Sequence, residues 1–139
     1  MPRLPDTNLN MDRIVRIAPI LLIVYIVFLV WLSLSPASMY SHFKIRIPYF
    51  DKLVHFSLYV VLSVLILVSL INLPKSAFVS ISVVVLSSFF FGLLMEILQF
   101  SLPYIHRSFE YGDLLSNFIG AVAGTFLSYV FLKPRLKQS

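Results

Sequence analysis

Hydrophobic and polar positions divide the chain into four long apolar runs separated by short polar breaks. The first runs from about Ile14 to Leu34 and carries no charge after Arg16. The second spans about Leu53 to Leu73, and the third about Ala77 to Leu102 with a single carboxylate, Glu96. The fourth spans about Leu114 to Leu132 and gives way to a basic tail of Lys133, Arg135 and Lys137. At ~1.5 Å per residue, each run is long enough to cross ~30 Å of hydrocarbon as a helix. Backbone amides in lipid must bond within their own segment, so helices are predicted; none of the runs has the alternating pattern of a barrel strand. The predicted fold is an all-α integral membrane protein, a bundle of four transmembrane helices forming one domain over residues 1–139.

Composition narrows the class further. The 139 residues are 59% hydrophobic and 12% charged, with a mean hydropathy of +0.92. Soluble domains average about 45–50% apolar and about 25% charged residues, so a water-soluble globule and a disordered chain are both excluded. The absence of cysteine removes disulfides, thiolate metal sites and cysteine nucleophiles. The net charge of +5 raises nucleic acid as a partner, but the basic residues sit at the ends of apolar runs and form no continuous patch. Their distribution instead reports topology. The N-terminus, second loop and C-terminal tail hold seven Lys and Arg, against four in the first and third loops, which places both termini in the cytoplasm. Arg13 and Arg16 followed by Ser35-Pro36-Ala37 resemble a signal peptide. The apolar core exceeds the usual ~7–15 residues, so a retained first helix is expected, with Pro19 in its first turns.

The first loop has a pattern of its own. Phe43, Ile45 and Ile47 alternate with His42, Lys44 and Arg46, flanked by Tyr40, Tyr49 and Phe50. An interfacial aromatic belt and an exposed recognition strand both fit it.

The scarce polar residues are the most informative. Four of the six carboxylates, Asp51, Glu96, Glu110 and Asp113, flank the second to fourth spans on one side of the membrane, as do all three histidines, His42, His55 and His106. Asp51, His55 and Tyr59 form an i, i+4, i+8 stripe at the start of the second helix. Glu96 and Gln99 share a face with Gly92 on the third, with Glu96 about 9 Å below the helix end. Asp113, Asn117, Gly120 and Gly124 form a stripe down the fourth, and the small residues at Gly120 and Gly124 permit close helix approach. The second helix starts where the third ends and the fourth begins, so these stripes are expected to converge, with Arg107 supplied by the third loop and Lys52 beside Asp51. Bland roles exist for each: Asp51 and Asp113 as helix N-caps, Asn117 and Gln99 as interhelical hydrogen-bond glue, and the charges as mutual neutralisation. Intramembrane ionisable residues are nonetheless candidates for function by default.

Asp51-Lys52-Leu53-Val54-His55-Phe56-x-x-Tyr59 resembles the opening motif of VanZ-like membrane proteins. Glu96-Ile97-Leu98-Gln99, Leu102-Pro103, Arg107-Ser108-Phe109 and Asp113-Leu114-Leu115-Ser116-Asn117-x-x-Gly120-Ala121-x-x-Gly124 continue the same pattern in order. Glu110 and Tyr111 fall at positions regarded as variable. The resemblance implies a characteristic polar set of Asp51, Lys52, His55, Tyr59, Glu96, Gln99, Arg107, Asp113 and Asn117. It also implies a cell-envelope membrane protein whose family namesake is associated with low-level resistance to the lipoglycopeptide teicoplanin.

Three functional classes follow. A non-enzymatic protein in the cell membrane would bind an anionic amphiphile, such as a lipid-linked cell-wall intermediate or a lipoglycopeptide, in an extracytoplasmic pocket. Arg107 and Lys52 would meet its anionic group, Glu96 and Asp113 would hold those cations, and Phe43, Tyr49 and Phe109 would line the rim. An intramembrane enzyme acting on a lipid headgroup would use His55 with Glu96 or Asp113 as acid and base, although no nucleophile or metalloprotease motif is present. A structural or assembly subunit would use the cluster for packing alone. No cofactor is expected, and no metal site, because His55, Glu96 and Asp113 lack tight ligand spacing. Membrane lipids are the expected partners; the oligomeric state is left open.

Overall fold

Lipid-facing side chains dominate the outside of the molecule, and its small interior runs along the helix contacts. The computed structural model describes residues 7–36, 48–71, 76–105 and 107–136. It contains α1 (Thr7–Leu34), α2 (Phe50–Leu70), α3 (Ala77–Ser101) and α4 (Tyr111–Leu136), with a short 3-10 turn at Pro103–Ile105 between the last two. No strand occurs among the described residues. Each helix is long and apolar enough to cross a membrane. Ile20, Ile23, Val27, Phe78, Phe90 and Phe131, among others, point outward, as expected where lipid rather than water is the solvent. The alternating stretch at Phe43–Ile47, together with His42 and His106, lies outside the described residues.

The helices run up and down. Val15 of α1, Leu132 of α4 and Ile71 just past α2 form an apolar cluster at one end. The N-termini of α2 and α4 meet at the other. Nearer that second end, Leu29 of α1 packs with Tyr59 and Leu62 of α2, supported by Tyr25 and Phe91. The Tyr25 hydroxyl donates to the Leu58 carbonyl at 2.9 Å, tying α1 to α2.

The closest seam joins α2 and α4. A Cβ at Gly120 would overlap the Phe56 carbonyl, and one at Gly124 would overlap the Val60 carbonyl and the Ser63 hydroxyl. Two backbones meet here because glycine leaves room, as in other small-residue membrane interfaces. Ser63 and Ser128 lie buried along the seam, and each hydroxyl donates to a carbonyl of its own helix. Such local bonds let small polar residues sit in a dry interface.

Helix ends depart from the apolar runs in informative ways. α1 begins at Thr7, so Pro19 lies more than three turns inside it rather than in its first turns. A proline there leaves one carbonyl without its helical donor, a defect that membrane helices accommodate. α2 starts at Phe50 after Tyr49 in the left-handed conformation (φ 58°) and ends at Leu70, short of the expected Leu73. Asp51 therefore lies in the first turn of α2, not at its cap. Ser76 caps α3, accepting from the Val79 amide at 3.3 Å.

Candidate functional site

Lys52 organises the polar end of the bundle. It sits in the first turn of α2, and its ammonium donates to Asp51 Oδ2 at 2.6 Å, Glu110 Oε2 at 2.7 Å and Asp113 Oδ1 at 2.9 Å. The first contact is local, while the other two bridge to the start of α4. The Lys52 and Asp113 side chains are 26% and 13% exposed, so their pair is largely withdrawn from solvent. Charge-assisted bonds in such surroundings are strong once made and expensive to break. Gly112 makes the reach feasible: a Cβ there would stand 2.8 Å from Lys52 Cε.

A second layer lies beneath. His55, one turn after Asp51, places Nδ1 3.0 Å from Asn117 Oδ1 and Nε2 3.5 Å from Asp113 Oδ2. Glu96 of α3 is 1% exposed. Its Oε2 accepts from the Glu110 backbone N–H at 3.1 Å, while Oε1 has no hydrogen-bond partner among the described residues. The Glu110 carbonyl in turn accepts from the Asp113 and Leu114 amides, so Glu96 is anchored to the residue that opens α4. Asp113 lies within the first turn of α4, which starts at Tyr111, and so is not its cap. Gly92 brings α3 close to Tyr59 and Asn117, whose nearest atoms would lie 3.2 Å and 3.3 Å from an added Cβ.

Six of the nine candidate residues, Asp51, Lys52, His55, Glu96, Asp113 and Asn117, thus meet where α2, α3 and α4 come together. Tyr59 is buried beside Gly92, one turn deeper than His55. Gln99 turns elsewhere: its amide donates to the Ser33 carbonyl at 2.9 Å and ties α3 to the end of α1. Arg107 lies on the wall of a cavity of roughly 240 Å³ between α1 and α2, with Asp51, His55 and Tyr59 as its other main polar neighbours. Leu29, Leu32, Phe50, Val54 and Leu58 supply the apolar walls. The expected rim differs. Phe43 lies outside the described residues, Tyr49 is 77% exposed, and Phe109 packs edge-on against Tyr111; neither Tyr49 nor Phe109 lines the cavity.

Glu110 and Gly112 were not among the expected site residues, yet one contributes a carboxylate and a backbone donor and the other the space that Lys52 occupies. The i, i+3 spacing of Glu110 and Asp113 at a helix start is a signal that could have singled out the former. Two sets of groups come close enough to hold a cation: His55, Glu96 and Asp113, and Asp51, Glu110 and Asp113, each with one ligand atom per residue within 4.8 Å of the others. The second set already surrounds the Lys52 ammonium.

A match to the VanZ/LLP1 family spans residues 12–132, nearly the whole described chain. The protein belongs to the VanZ/LLP1 family. Neither a curated protein nor a solved structure matches it. As a VanZ-like chain with four helices able to span a membrane, it is a multi-pass membrane protein. The family match reaches into all four helices, including α1, whereas the motif resemblance is strongest from Asp51 to Gly124, with Ser35-Pro36 after the first span also fitting it.

Proposed function

We propose that this VanZ-like protein resides in the cell membrane with both termini in the cytoplasm and binds an anionic amphiphile at its extracytoplasmic end. The observation that carries this reading is the cavity between α1 and α2, where an arginine shares a wall with five apolar side chains. A guanidinium offers paired donors to phosphate or carboxylate, and an aliphatic wall accepts an alkyl chain. A second groove of roughly 370 Å³, lined by Tyr25, Leu53 and Val61, shares Phe50, Val54 and Leu58 with the first and offers a tail a path along the lipid-facing side of α2. Arg107 is the anion-binding residue in this reading. Lys52, the other expected one, gives its ammonium to three carboxylates and acts as an internal counter-ion. A lipid-linked cell-wall intermediate and a lipoglycopeptide such as teicoplanin both combine an anionic group with an alkyl chain. Binding of either would tie the protein to envelope assembly or glycopeptide tolerance.

The test is native mass spectrometry on protein in nanodiscs, offered a polyprenyl phosphate or teicoplanin in separate arms. Wild type retains one of the two. Arg107→Ala weakens retention by about tenfold or more, the loss expected for a charge-assisted hydrogen bond. Leu58→Trp, which fills the shared wall, abolishes retention. Unchanged binding by Arg107→Ala at normal protein levels overturns the reading. The alternative of a purely structural cluster is favoured by the internal pairing of Lys52, His55 and Gln99. It is supported if Glu96→Gln depletes the protein while neither probe binds wild type.

A further inference from the structure

We propose that His55, Glu96 and Asp113 form a binding site for one divalent first-row cation, of the Zn²⁺ or Mn²⁺ type. Three residues from three helices each have one polar atom tied to a neighbour and a second left over. His55 Nδ1 faces the Asn117 carbonyl oxygen, which makes Nδ1 the donor and leaves the lone pair on Nε2. Asp113 Oδ1 is held by Lys52, leaving Oδ2. Glu96 Oε2 is held by the Glu110 amide, leaving Oε1, which is buried and without a hydrogen-bond partner among the described residues. Bonds from the outer atoms of histidine and carboxylate ligands are the usual way a protein fixes ligand orientation around a metal.

Distance and charge point the same way. His55 Nε2 and Asp113 Oδ2 are 3.5 Å apart, long for a hydrogen bond. Two ligand atoms each ~2.1 Å from a tetrahedral ion are separated by about 3.4 Å, so this pair already has the spacing of a shared metal. With one atom of all three residues within 4.8 Å of the others, an ion at the centre lies at most about 2.8 Å from each, and small side-chain rotations close the remainder. Imidazole with two carboxylates suits zinc and manganese. Among the described residues, four carboxylates, Asp51, Glu96, Glu110 and Asp113, gather here with the cations Lys52 and Arg107, an excess of two formal negative charges that a divalent cation would cancel. Leaving that excess at the edge of a bilayer is costly. The site stands without the amphiphile reading, because cation binding is measured with no amphiphile present.

The experiment uses the full chain, purified without a polyhistidine tag, stripped with a chelator and titrated calorimetrically with ZnCl₂ and with MnCl₂ in separate runs. One equivalent of at least one metal binds to wild type and raises its Tm. His55→Ala and Glu96→Gln abolish that binding, Asn117→Ala weakens it by about 10–100-fold as expected for an outer-shell partner, and Asp12→Asn, an exposed carboxylate toward the opposite end of the bundle, leaves it within about twofold. Co²⁺ in place of the titrant gives visible absorption bands in wild type that His55→Ala removes, a readout independent of stability. Substoichiometric binding by wild type to both metals overturns the proposal. So does equal binding by wild type, His55→Ala and Glu96→Gln, which marks adventitious carboxylates only.

Discussion

At the scale of single residues, Lys52 is the sharpest electrostatic test because one ammonium separates three carboxylates. Lys52→Met keeps the length of the stem but leaves Asp51, Glu110 and Asp113 facing one another. Breaking a fully buried ion pair costs ~3–5 kcal/mol; with a quarter of the side chain exposed, about 2 kcal/mol is expected here. Thermal unfolding in detergent measures it, and adding Asp113→Asn to Lys52→Met should recover part of the loss, since it removes one of the stranded charges. Gln99→Leu provides the contrast. It deletes a single neutral bond to the Ser33 carbonyl, and interhelical hydrogen bonds in membranes average only about 0.6 kcal/mol. Its Tm is expected to stay close to wild type, and a loss as large as that of Lys52→Met would show that the α1–α3 tie is more than local. Single residues also mark where sequence reasoning reached its limit. Asp51, His55, Glu96 and Asp113 stood out because charge is scarce within apolar runs and at their edges, and because Asp51 and Asp113 continue helical stripes into them. Glu110 and Gly112 lie between runs, where polar residues are ordinary, and the partner of Gln99 is a backbone carbonyl that carries no side-chain signature.

At the scale of elements, the α2–α4 seam separates glycines that need no side chain from glycines that merely lack one. An added Cβ at Gly120 or Gly124 meets backbone of α2, which moves only if the helix moves. Gly120→Ala and Gly124→Ala are each expected to destabilise at the upper end of the ~1–3 kcal/mol seen for overpacking. Ser63→Ala should not rescue Gly124→Ala, because the Val60 carbonyl still stands in the way. The atoms nearest a Cβ at Gly92 belong to the Tyr59 side chain and the Asn117 amide at 3.2–3.3 Å, side chains able to shift, so Gly92→Ala should cost under about 1 kcal/mol. Tm values of the three variants in one detergent decide the order, and equal losses would argue against the backbone contact. The existence of four helices was legible because each apolar run satisfies the length demanded by a bilayer. Their ends were less so. Hydropathy reports where lipid begins, not where helical geometry stops, and the polar start of α1 from Thr7 continues the helix beyond the apolar run. The approach of His55, Glu96 and Asp113 was hidden for a related reason: groups from three helices leave no short motif in the sequence.

At the scale of the whole molecule, the fold gives the bundle two unlike ends. Val15, Ile71 and Leu132 close one with an apolar cluster, while Lys52 and its carboxylates occupy the other. An even number of spans puts the N- and C-terminal ends of the bundle on the apolar side, so orientation decides whether the polar end faces the cytoplasm or the outside. The proposed orientation puts the side with seven Lys and Arg, that of the termini, in the cytoplasm, and the side with four outside. Lys52, counted among the four, is bound to its own carboxylates once folded, leaving still less mobile positive charge on the polar side. Because the chain has no cysteine, single introduced thiols report each side without background. Tyr49→Cys, at an exposed position next to the polar cluster, should react in intact cells with a membrane-impermeant maleimide. A cysteine appended after Ser139 should react only after the cells are permeabilised. The reverse pattern would place the Arg107 cavity on the cytoplasmic face, where an extracellular lipoglycopeptide could not reach it, and the amphiphile would then have to come from the inner leaflet.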